Sequence, residues 1–200
     1  MPSPPLSCPG HTSRSLIRPL VPGDVPSLFE TATEHATELS WRQLGTSGSL
    51  EAFAQRLWED VHLQQVVCRR STGEPPALVQ LLRPSYRHGT VQLAMLVLRP
   101  YRTAVIPFEG LLLFLEQTFY RFPFRKIYAE TSEMSFGAFR SGANRIFEVE
   151  GLLKDHEWHC DRYWSTMILS LRRESWTESQ IRDRMLNSVG GSEAKGGRAR

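Results

Sequence analysis

Residues 90–120 read TVQLAMLVLRPYRTAVIPFEGLLLFLEQTFY, and this stretch decides the fold. Its first nine residues, Thr90–Leu98, are an apolar run whose length predicts a buried strand rather than a helix. Arg99-Pro100 ends the run, because proline has no N–H for a sheet ladder and biases the preceding residue away from the helical region. From Phe108 to Tyr120 the apolar residues recur at helical spacing, with Glu109 in the first turn, where the helix dipole favours an acidic group. The stretch therefore predicts a strand, a loop and a helix whose N-terminus offers backbone N–H groups to an anion or an acyl carbonyl.

The composition limits the class of protein. The chain has 200 residues, of which 40% are hydrophobic, and this predicts a single domain with a substantial core. Its formal charge of +3 permits a nucleic-acid or phosphate partner without arguing for one. Cys8, Cys68 and Cys160 are odd in number and unpatterned, which indicates a reducing, cytoplasmic location. The sequence also lacks the ~18-residue apolar run of a membrane span and the apolar core of a signal peptide, so we expect a soluble protein without a membrane partner.

The pattern divides the chain into three parts. Residues 1–14 are rich in Pro and Ser and are predicted to be disordered, residues 15–176 to form one domain, and residues 177–200 to be a polar, largely disordered tail. Strands are predicted at Ser15–Leu20, Gln64–Arg70, Ala77–Leu82, Thr90–Leu98, Arg125–Thr131, Phe147–Leu153 and Tyr163–Leu171. Helices are predicted from Val25 with Asp24 as N-cap, and over Leu50–Val61, Phe108–Tyr120 and Ser135–Arg145. This order predicts an α/β (α+β) domain with a mixed sheet.

Several common kinds of catalytic site are not indicated. The sequence has no G-x-S-x-G, no phosphate-binding loop ending in Gly-Lys-Ser/Thr and no Rossmann glycine triplet, so it gives no signal for hydrolysis, phosphoryl transfer or hydride transfer. His156, His159 and Cys160 lie close together, but the H-x-x-H-C spacing fits no closed zinc pattern and a hairpin cannot easily converge these side chains. We predict no metal site.

Three segments resemble the GNAT superfamily of N-acyltransferases, in particular its ribosomal-protein and polyamine acetyltransferase branch. IRPLVPGDVPSLFE, at residues 17–30, resembles the first strand and helix of that branch, and Arg125–Glu130 resembles its fifth strand. The stretch FEVEGLLKDHEWHCDRYWSTMILSLRRESW, at residues 147–176, resembles its closing hairpin, where an aromatic residue, a Glu-Gly pair and a final Glu-x-Trp recur. The resemblance covers about Leu16 to Trp176. It implies a mixed, mostly antiparallel sheet flanked by helices and splayed between the fourth and fifth strands.

The same resemblance implies a degenerate binding loop for the pyrophosphate of coenzyme A. In the family the loop after the fourth strand usually reads Arg or Gln, two residues, Gly, one residue, then Gly or Ala. Arg102 matches the first position, but Val105 and Pro107 occupy the two small ones and Thr103 stands where Gly is common. Val105 resists close approach and positive φ, and Pro107 removes one N–H donor. A missing donor to a charged acceptor is worth roughly 1.5–3 kcal/mol, so a weakened coenzyme A site is expected.

The positions implied to bind the donor come from the fourth strand, the loop and the segment after the fifth strand. The family's fourth strand is bulged and presents backbone groups to the pantetheine arm, and its loop binds phosphates. These positions are Leu96, Val97, Leu98, Arg99, Arg102, Thr103, Ala104, Val105 and Ile106, with Ser135 in place of the family's Asn. The Tyr that often protonates the leaving thiolate is Gly142 here. Arg121, Arg125 and Lys126 are expected near this region, either as further anion-binding groups or as a solvated rim.

Glu130, at the end of the fifth strand, is the carboxylate best placed to act as general base, because an amine nucleophile must lose a proton. A structural salt bridge is the alternative role for Glu130. His88, in the turn before the central strand, is a second candidate base, although a turn histidine is more often an ordinary surface residue. Tyr163 in the closing hairpin is a candidate for acceptor binding or for protonation of the leaving group, with an ordinary hairpin role as the alternative.

These observations predict an enzyme that transfers an acyl group, by default acetyl from acetyl-CoA, to an amine by direct attack, forming an amide bond. Two alternatives stay open. In the first, the acyl group arrives on an acyl carrier protein or an aminoacyl-tRNA; in the second, the chain is a non-catalytic module that has kept the fold. A small-molecule amine and a peptide are both possible acceptors, and the sequence does not indicate the oligomeric state.

Overall fold

One seven-stranded sheet organises the protein. The structure, a computed structural model, describes residues 5–33, 48–133, 146–159 and 161–196, with side chains up to residue 189. The strands are β1 (Ser15–Arg18), β2 (Val61–Arg69), β3 (Ala77–Ser85), β4 (Thr90–Val97), β5 (Lys126–Ser132), β6 (Glu148–His159) and β7 (Arg162–Arg172). They lie in the order β1-β2-β3-β4-β5-β7-β6. Only the β4–β5 pair is parallel among the described strands, so the mixed, mostly antiparallel sheet predicted from the sequence is confirmed.

Helices cover both faces of this sheet. They are α1 (Val25–Thr33), α2 (Leu50–Arg56), α3 (Val105–Arg121), α4 (Arg173–Thr177) and α5 (Gln180–Gly196). On one face, here called the α1 face, Leu28 of α1 and Phe53 of α2 pack with Leu96 of β4. On the opposite face, the α3 face, α3 packs in one core cluster with Leu93 of β4 and Ile127 of β5. None of the helices in the described ranges has the length and apolarity needed to cross a bilayer.

Helix α3 lies unusually close to the sheet at Gly110. A Cβ atom built on Gly110 would stand only 2.3 Å from Cγ1 of Val67 in β2. Since both residues belong to the most buried part of the α3 face, only a residue without a side chain allows this spacing. The position of α3 over the sheet therefore depends on one glycine.

The N-terminal segment lies along α3, so the prediction of disorder for residues 1–14 is wrong for residues 5–14. The Ser7 amide donates a hydrogen bond to Oε1 of Glu116 (2.9 Å), and Nε2 of Gln117 donates to the Pro9 carbonyl (2.7 Å). Nearer the start of α3, Thr12 Oγ1 donates to Oε2 of Glu109 (2.9 Å). The outer side of α3 thus carries polar groups that need partners, and the segment supplies them. A Pro- and Ser-rich composition does not reveal this role.

The C-terminal tail is also wrongly predicted, because α5 extends the domain well past residue 176. Arg182 of α5 and Glu116 of α3 form an ion pair, Nε to Oε2 2.7 Å, in which both side chains are fully buried. Trp176, itself buried, donates from Nε1 to the same carboxylate oxygen (2.8 Å). The buried carboxylate of Glu116 therefore holds this polar stretch in place. Because Glu116 belongs to α3, the sequence of the tail alone gives no sign of the contact.

Asp24 serves a different purpose from the helix N-cap predicted for it. It lies in a short 3₁₀ turn, Pro22–Asp24, and its two carboxylate oxygens accept hydrogen bonds from the Arg18 guanidinium at 2.8 Å. The Val21 amide donates a third, at 3.0 Å. Burial raises the pKa of Asp24, but these hydrogen bonds outweigh burial and hold the pKa below its ordinary value. The turn is thus fastened to the end of β1.

Other boundaries differ from prediction by a few residues. Helix α2 ends at Arg56 rather than Val61, because Val61 already pairs with Leu82 in the sheet. The predicted helix Ser135–Arg145 lies outside the described residues, and with it the positions of Ser135 and Gly142; the same holds for Cys160.

Candidate active site

The gap between β4 and β5 is the central feature of the site. The two strands pair from Thr90 with Lys126 to Leu93 with Ala129, and the pairing ends there. Beyond this point β4 stays paired with β3 as far as Val97, and β5 stays paired with β7 as far as Ser132. A wedge-shaped gap therefore opens between residues 94–97 of β4 and residues 130–132 of β5. This is the splay predicted between the fourth and fifth strands.

The backbone of β4 determines which N–H groups face the gap. The Leu98 amide donates to the Pro76 carbonyl (2.9 Å), which lies on the β3 side. In an antiparallel ladder successive residues point their N–H and C=O groups to alternate sides, so Leu96 also faces β3. Met95 and Val97 consequently direct theirs toward β5 and the gap. Of the predicted strand residues Leu96, Val97 and Leu98, only Val97 turns its backbone to the gap, and Met95 was missed.

The bulge that the resemblance implies for the fourth strand is not present. The β3–β4 ladder keeps one register from Ala77 with Val97 to Leu82 with Gln92. Its only irregularity is a shift between Leu82 and Ser85, at the other end of the strands. Strand β4 therefore presents its N–H groups to the gap through regular alternation.

Glu130 lies at the narrow end of the gap. It is the first residue of β5 beyond the pairing with β4, and it is exposed. Ile127 and Ala129 belong to the core of the α3 face, so the alternation of side chains places Glu130 on the α1 face. Glu130 takes part in none of the ion pairs between residues of the described ranges.

The structure does not bring His88 or Tyr163 to Glu130. His88 lies in the turn before β4, six residues and roughly 20 Å before Ala94 at the start of the gap. Tyr163 is at the tip of the β6–β7 hairpin, where its ring packs against Trp158 with centroids 4.9 Å apart. The partner of Glu130 on β7 is Ile168, and Tyr163 is five residues or roughly 17 Å further along that strand. Neither side chain is within reach of the same substrate atom as Glu130.

The loop after β4 provides the other end of the site. Residues Arg99–Tyr101 form a 3₁₀ turn, and α3 begins at Val105, three residues earlier than predicted. The Ala104 amide already donates to the Tyr101 carbonyl (2.9 Å). The N–H groups of Val105 and Ile106 belong to the first helical turn, which has no intrahelical acceptor for them, and proline follows at position 107. The helix therefore offers two adjacent N–H groups where an ideal anion site would offer three.

The loop does not need glycine for its backbone conformation. The non-glycine residues with positive φ in the described chain are Asp60, Arg83, Asp155 and Asp161, none of them between Leu98 and Pro107. Two other features of the loop disfavour phosphate binding. The side chain of Val105 is exposed in front of the helix, and Pro107 has no N–H to donate. Thr103 and the two arginines, Arg99 and Arg102, lie in the turns directly before the helix.

Side-chain contacts fix this loop to its neighbours. The Tyr101 hydroxyl donates to Oε2 of Glu74 in the β2–β3 turn (2.9 Å), and the Arg69 Nε lies 3.6 Å from the same oxygen. The hydrogen bond from Tyr101 lowers the pKa of Glu74. In the first turns of α3, Glu109 forms an ion pair with Arg14. The loop is thus tied to the β2–β3 turn, and the start of α3 is tied to the segment before β1.

The remaining basic residues do not belong to this loop. The Arg121 Nε donates to Cys8 Sγ (3.3 Å), and the Arg125 Nε donates to the His88 carbonyl (2.8 Å). The Lys126 Nζ pairs with Oε1 of Glu150. All three lie toward the opposite end of β4 and β5, so they contribute to packing rather than to anion binding at the gap.

Known structures share this architecture. A chimera of the spermidine N-acetyltransferase of Vibrio cholerae and hSSAT is 16% identical with a TM-score of 0.69, over 83% of this chain and 99% of that one. The Vibrio cholerae spermidine N-acetyltransferase in complex with CoA and spermine is 15% identical with a TM-score of 0.67, over 82% and 98% of the two chains. A GCN5-related N-acetyltransferase from Brucella melitensis is 16% identical with a TM-score of 0.69, over 94% and 87%. The chain therefore has the GNAT fold, as its sequence indicated.

The sequence comparisons add nothing to this assignment, since no protein-family model and no curated protein matches the chain. Among the described residues, no group of three or more His, Cys, Asp or Glu side chains is placed to hold a metal ion.

Proposed function

We propose that the protein is an N-acyltransferase that moves an acyl group, by default acetyl from acetyl-CoA, to the amine of a small molecule. The observation that carries this proposal is the gap between β4 and β5, with backbone N–H groups of Met95 and Val97 on one wall and Glu130 at its narrow end. A thioester carbonyl, a polarising donor and a proton acceptor can meet there without any rearrangement of the sheet.

The donor enters from the α3 end of the gap. Its pyrophosphate lies at the N–H groups of Val105 and Ile106, where the helix dipole favours negative charge, with Arg99 and Arg102 beside it. The pantetheine arm runs between the splayed strands, and an N–H of β4 stabilises the negative charge that develops on the carbonyl oxygen. Holding both reactants in this geometry supplies much of the rate enhancement.

The acceptor approaches from the α1 face. Glu130 takes the proton from the amine, directly or through a water, and the neutral nitrogen attacks the carbonyl carbon. The nitrogen–carbon bond forms, the carbon–sulfur bond breaks, and the second proton that the nitrogen must lose to become an amide goes to the leaving thiolate. The spermine bound to a protein of the same fold supports a small-molecule amine as the acceptor class.

Cys68 is poorly suited to form a covalent enzyme intermediate. Cys8 and Cys68 are free thiols, and Cys68 is buried. Burial raises the pKa of the Cys68 thiol and so disfavours the thiolate that a nucleophile requires. Free thiols also fit a reducing, cytoplasmic location, and we propose that location together with the activity.

Calorimetry and product analysis test the proposal together. The protein is titrated with acetyl-CoA, then incubated with acetyl-CoA and a panel of primary amines, and the products are analysed by mass spectrometry. Glu130→Gln should bind the donor as the wild type does but form amide far more slowly. Glu148→Gln, which alters another exposed carboxylate of the sheet, is the matched control and should remain active.

Two outcomes would refute the proposal in different ways. If acetyl-CoA does not bind but amide forms from a loaded carrier protein or an aminoacyl-tRNA, the donor is wrong and the chemistry stands. If no donor binds and no amide forms with any amine, the chain is a non-catalytic module with this fold.

A further inference from the structure

A carboxylate lies beside the proposed binding site for the donor pyrophosphate. Glu109 is in the second turn of α3, and its side chain is only 13% exposed. Side chains of a helix lean toward its N-terminus, so this carboxylate points back toward the first turn. Ser15 Oγ lies 3.0 Å from Oε2 of Glu109 and 3.2 Å from the Ile106 carbonyl oxygen. The carboxylate is therefore within two hydrogen-bond lengths of the backbone of the first turn.

A negative charge at this position opposes anion binding. The proposed pyrophosphate site consists of the N–H groups of Val105 and Ile106, and the Glu109 carboxylate lies within about one Debye length of them, ~8 Å at physiological ionic strength. Its charge repels a phosphate there and counteracts the helix dipole that attracts one. The carboxylate also anchors the segment before β1, because Thr12 Oγ1 donates to Oε2 (2.9 Å). The fold therefore uses a carboxylate whose charge the donor site has to tolerate.

Arg14, directly before β1, is the residue that neutralises this charge. Its Nε donates to Oε1 of Glu109 (2.9 Å), and its Nη2 donates to the same oxygen. Because the two charges are in direct contact, their combined effect on a nearby phosphate is much weaker than that of the carboxylate alone. The Arg14 side chain is 61% exposed, so the ion pair with Glu109, rather than burial, determines where its guanidinium lies.

We propose that Arg14 is a positioning residue for the donor, which keeps the start of α3 attractive to the pyrophosphate by neutralising Glu109. This inference rests on the proposed function. It gives the segment before β1 a part in donor binding, in addition to β4, the loop and α3. Arg14 acts on the donor through Glu109, so its effect depends on the charge of the donor and on the presence of the carboxylate.

A purely structural role for Arg14 would give a different pattern. If the ion pair only fastened the segment before β1 to α3, the loss of Arg14 would disturb every donor alike. Neutralisation instead predicts a loss that is confined to charged donors and that salt reduces. S-acetylpantetheine is a suitable uncharged donor, because it has the thioester and the pantetheine arm of acetyl-CoA without its phosphates.

The test compares these two donors on four proteins. By calorimetry at low salt, Arg14→Met should raise the Kd for acetyl-CoA about fivefold, the effect of a charge roughly 8 Å away, and ~1 M NaCl should remove most of the difference. Its kcat/KM with S-acetylpantetheine should equal that of the wild type. Arg14→Lys should bind acetyl-CoA as the wild type does. Arg87→Met, which removes an exposed arginine from the turn before β4, is the matched control and should leave the Kd unchanged.

Glu109→Gln tests the same charge from the other partner of the ion pair. This variant should bind acetyl-CoA more tightly than the wild type, and adding it to Arg14→Met should return the Kd to the wild-type value. A double variant as weak as Arg14→Met would overturn the inference. So would an unchanged Kd in Arg14→Met, or an equal loss of kcat/KM with S-acetylpantetheine. A wild type that binds no acetyl-CoA would overturn the inference together with the donor of the proposed function.

Discussion

Replacing Gly110 by alanine tests the packing of α3 on the sheet. The added Cβ would stand 2.3 Å from Cγ1, 2.4 Å from Cγ2 and 2.9 Å from Cβ of Val67. Carbon atoms in contact normally lie at least ~3.5 Å apart, so the shortest approach falls short by roughly 1.2 Å. Rotating Val67 about χ1 does not help, since both methyl groups and the Cβ atom are in the way. Relief requires the helix to move away from β2.

Two opposing terms set the size of the effect. Overpacking of a buried site costs about 1–3 kcal/mol, and the severity of this overlap places Gly110→Ala at the upper end. Alanine is favoured over glycine inside a helix by about 1 kcal/mol. We expect a net loss of roughly 2 kcal/mol in the free energy of unfolding, which for a chain of this size lowers Tm by about 4–8 °C. Calorimetry and urea unfolding measure both quantities.

A double-mutant cycle with Val67→Ala isolates the contact. Val67→Ala alone leaves a cavity and is destabilising, but in its background Gly110→Ala should cost at least about 1 kcal/mol less than in the wild type. Gly23→Ala is the matched control, because its added Cβ meets nothing within 4 Å, and its effect should stay within about 0.5 kcal/mol. Additive effects of Gly110→Ala and Val67→Ala, or a Gly110→Ala variant more stable than the wild type, would refute the reasoning.

Four other predictions concern single groups. Arg182→Met leaves the Glu116 carboxylate buried without its charge partner and should lower the free energy of unfolding, measured in urea, by about 3–5 kcal/mol. Adding Glu116→Gln should restore part of this loss, and an unchanged urea midpoint for Arg182→Met would contradict a buried pair. The folded-state pKa of Asp24 is depressed, so its stabilisation is present above its ordinary pKa and is lost as the pH falls through the folded value. The difference in unfolding free energy between wild type and Asp24→Asn should therefore become smaller in acid. A difference that does not change with pH would contradict this prediction. Glu130→Gln should lower the turnover at neutral pH by about 10²–10⁴-fold with the donor Kd unchanged; full activity would remove it from the mechanism. Pro107→Ala restores an N–H at the third helical position and should tighten donor binding about tenfold by calorimetry, whereas no gain would mean that the loop does not limit affinity.

The periodicity of the sequence was sufficient to predict those features of the fold that depend on a single helix or strand. The apolar run of β4 is buried from both faces, with Leu93 on the α3 face and Leu96 on the α1 face, as a central strand requires. The alternation in Arg125–Thr131 likewise places Glu130 on the face opposite Ile127. Both properties follow from the period of a strand, which can be counted without knowing its neighbours.

Properties that depend on a second element could not be predicted. Counting along β4 cannot show that Met95 and Val97, rather than Leu96, turn their N–H groups to the gap, because this depends on which edge pairs with β3. In the same way, Arg182 has the sequence context of an exposed helix residue, yet the carboxylate of Glu116 draws it into the core. Likewise, Ser132 of β5 and Thr166 of β7 become neighbours only through the register of two strands distant in sequence.

The topology itself explains why the parts of the site meet at one edge of the sheet. Strand β4, helix α3 and strand β5 form a crossover between parallel strands, so α3 runs back along the sheet and its N-terminus lies beside the carboxyl end of β4. The pairing of β4 with β5 covers only the amino-terminal halves of both strands, so the gap opens at that same end. Each strand is held open from outside, β4 by β3 and β5 by β7. An anion bound at the helix and a carbonyl bound in the gap would therefore be neighbours by construction, whatever side chains fill the loop between them.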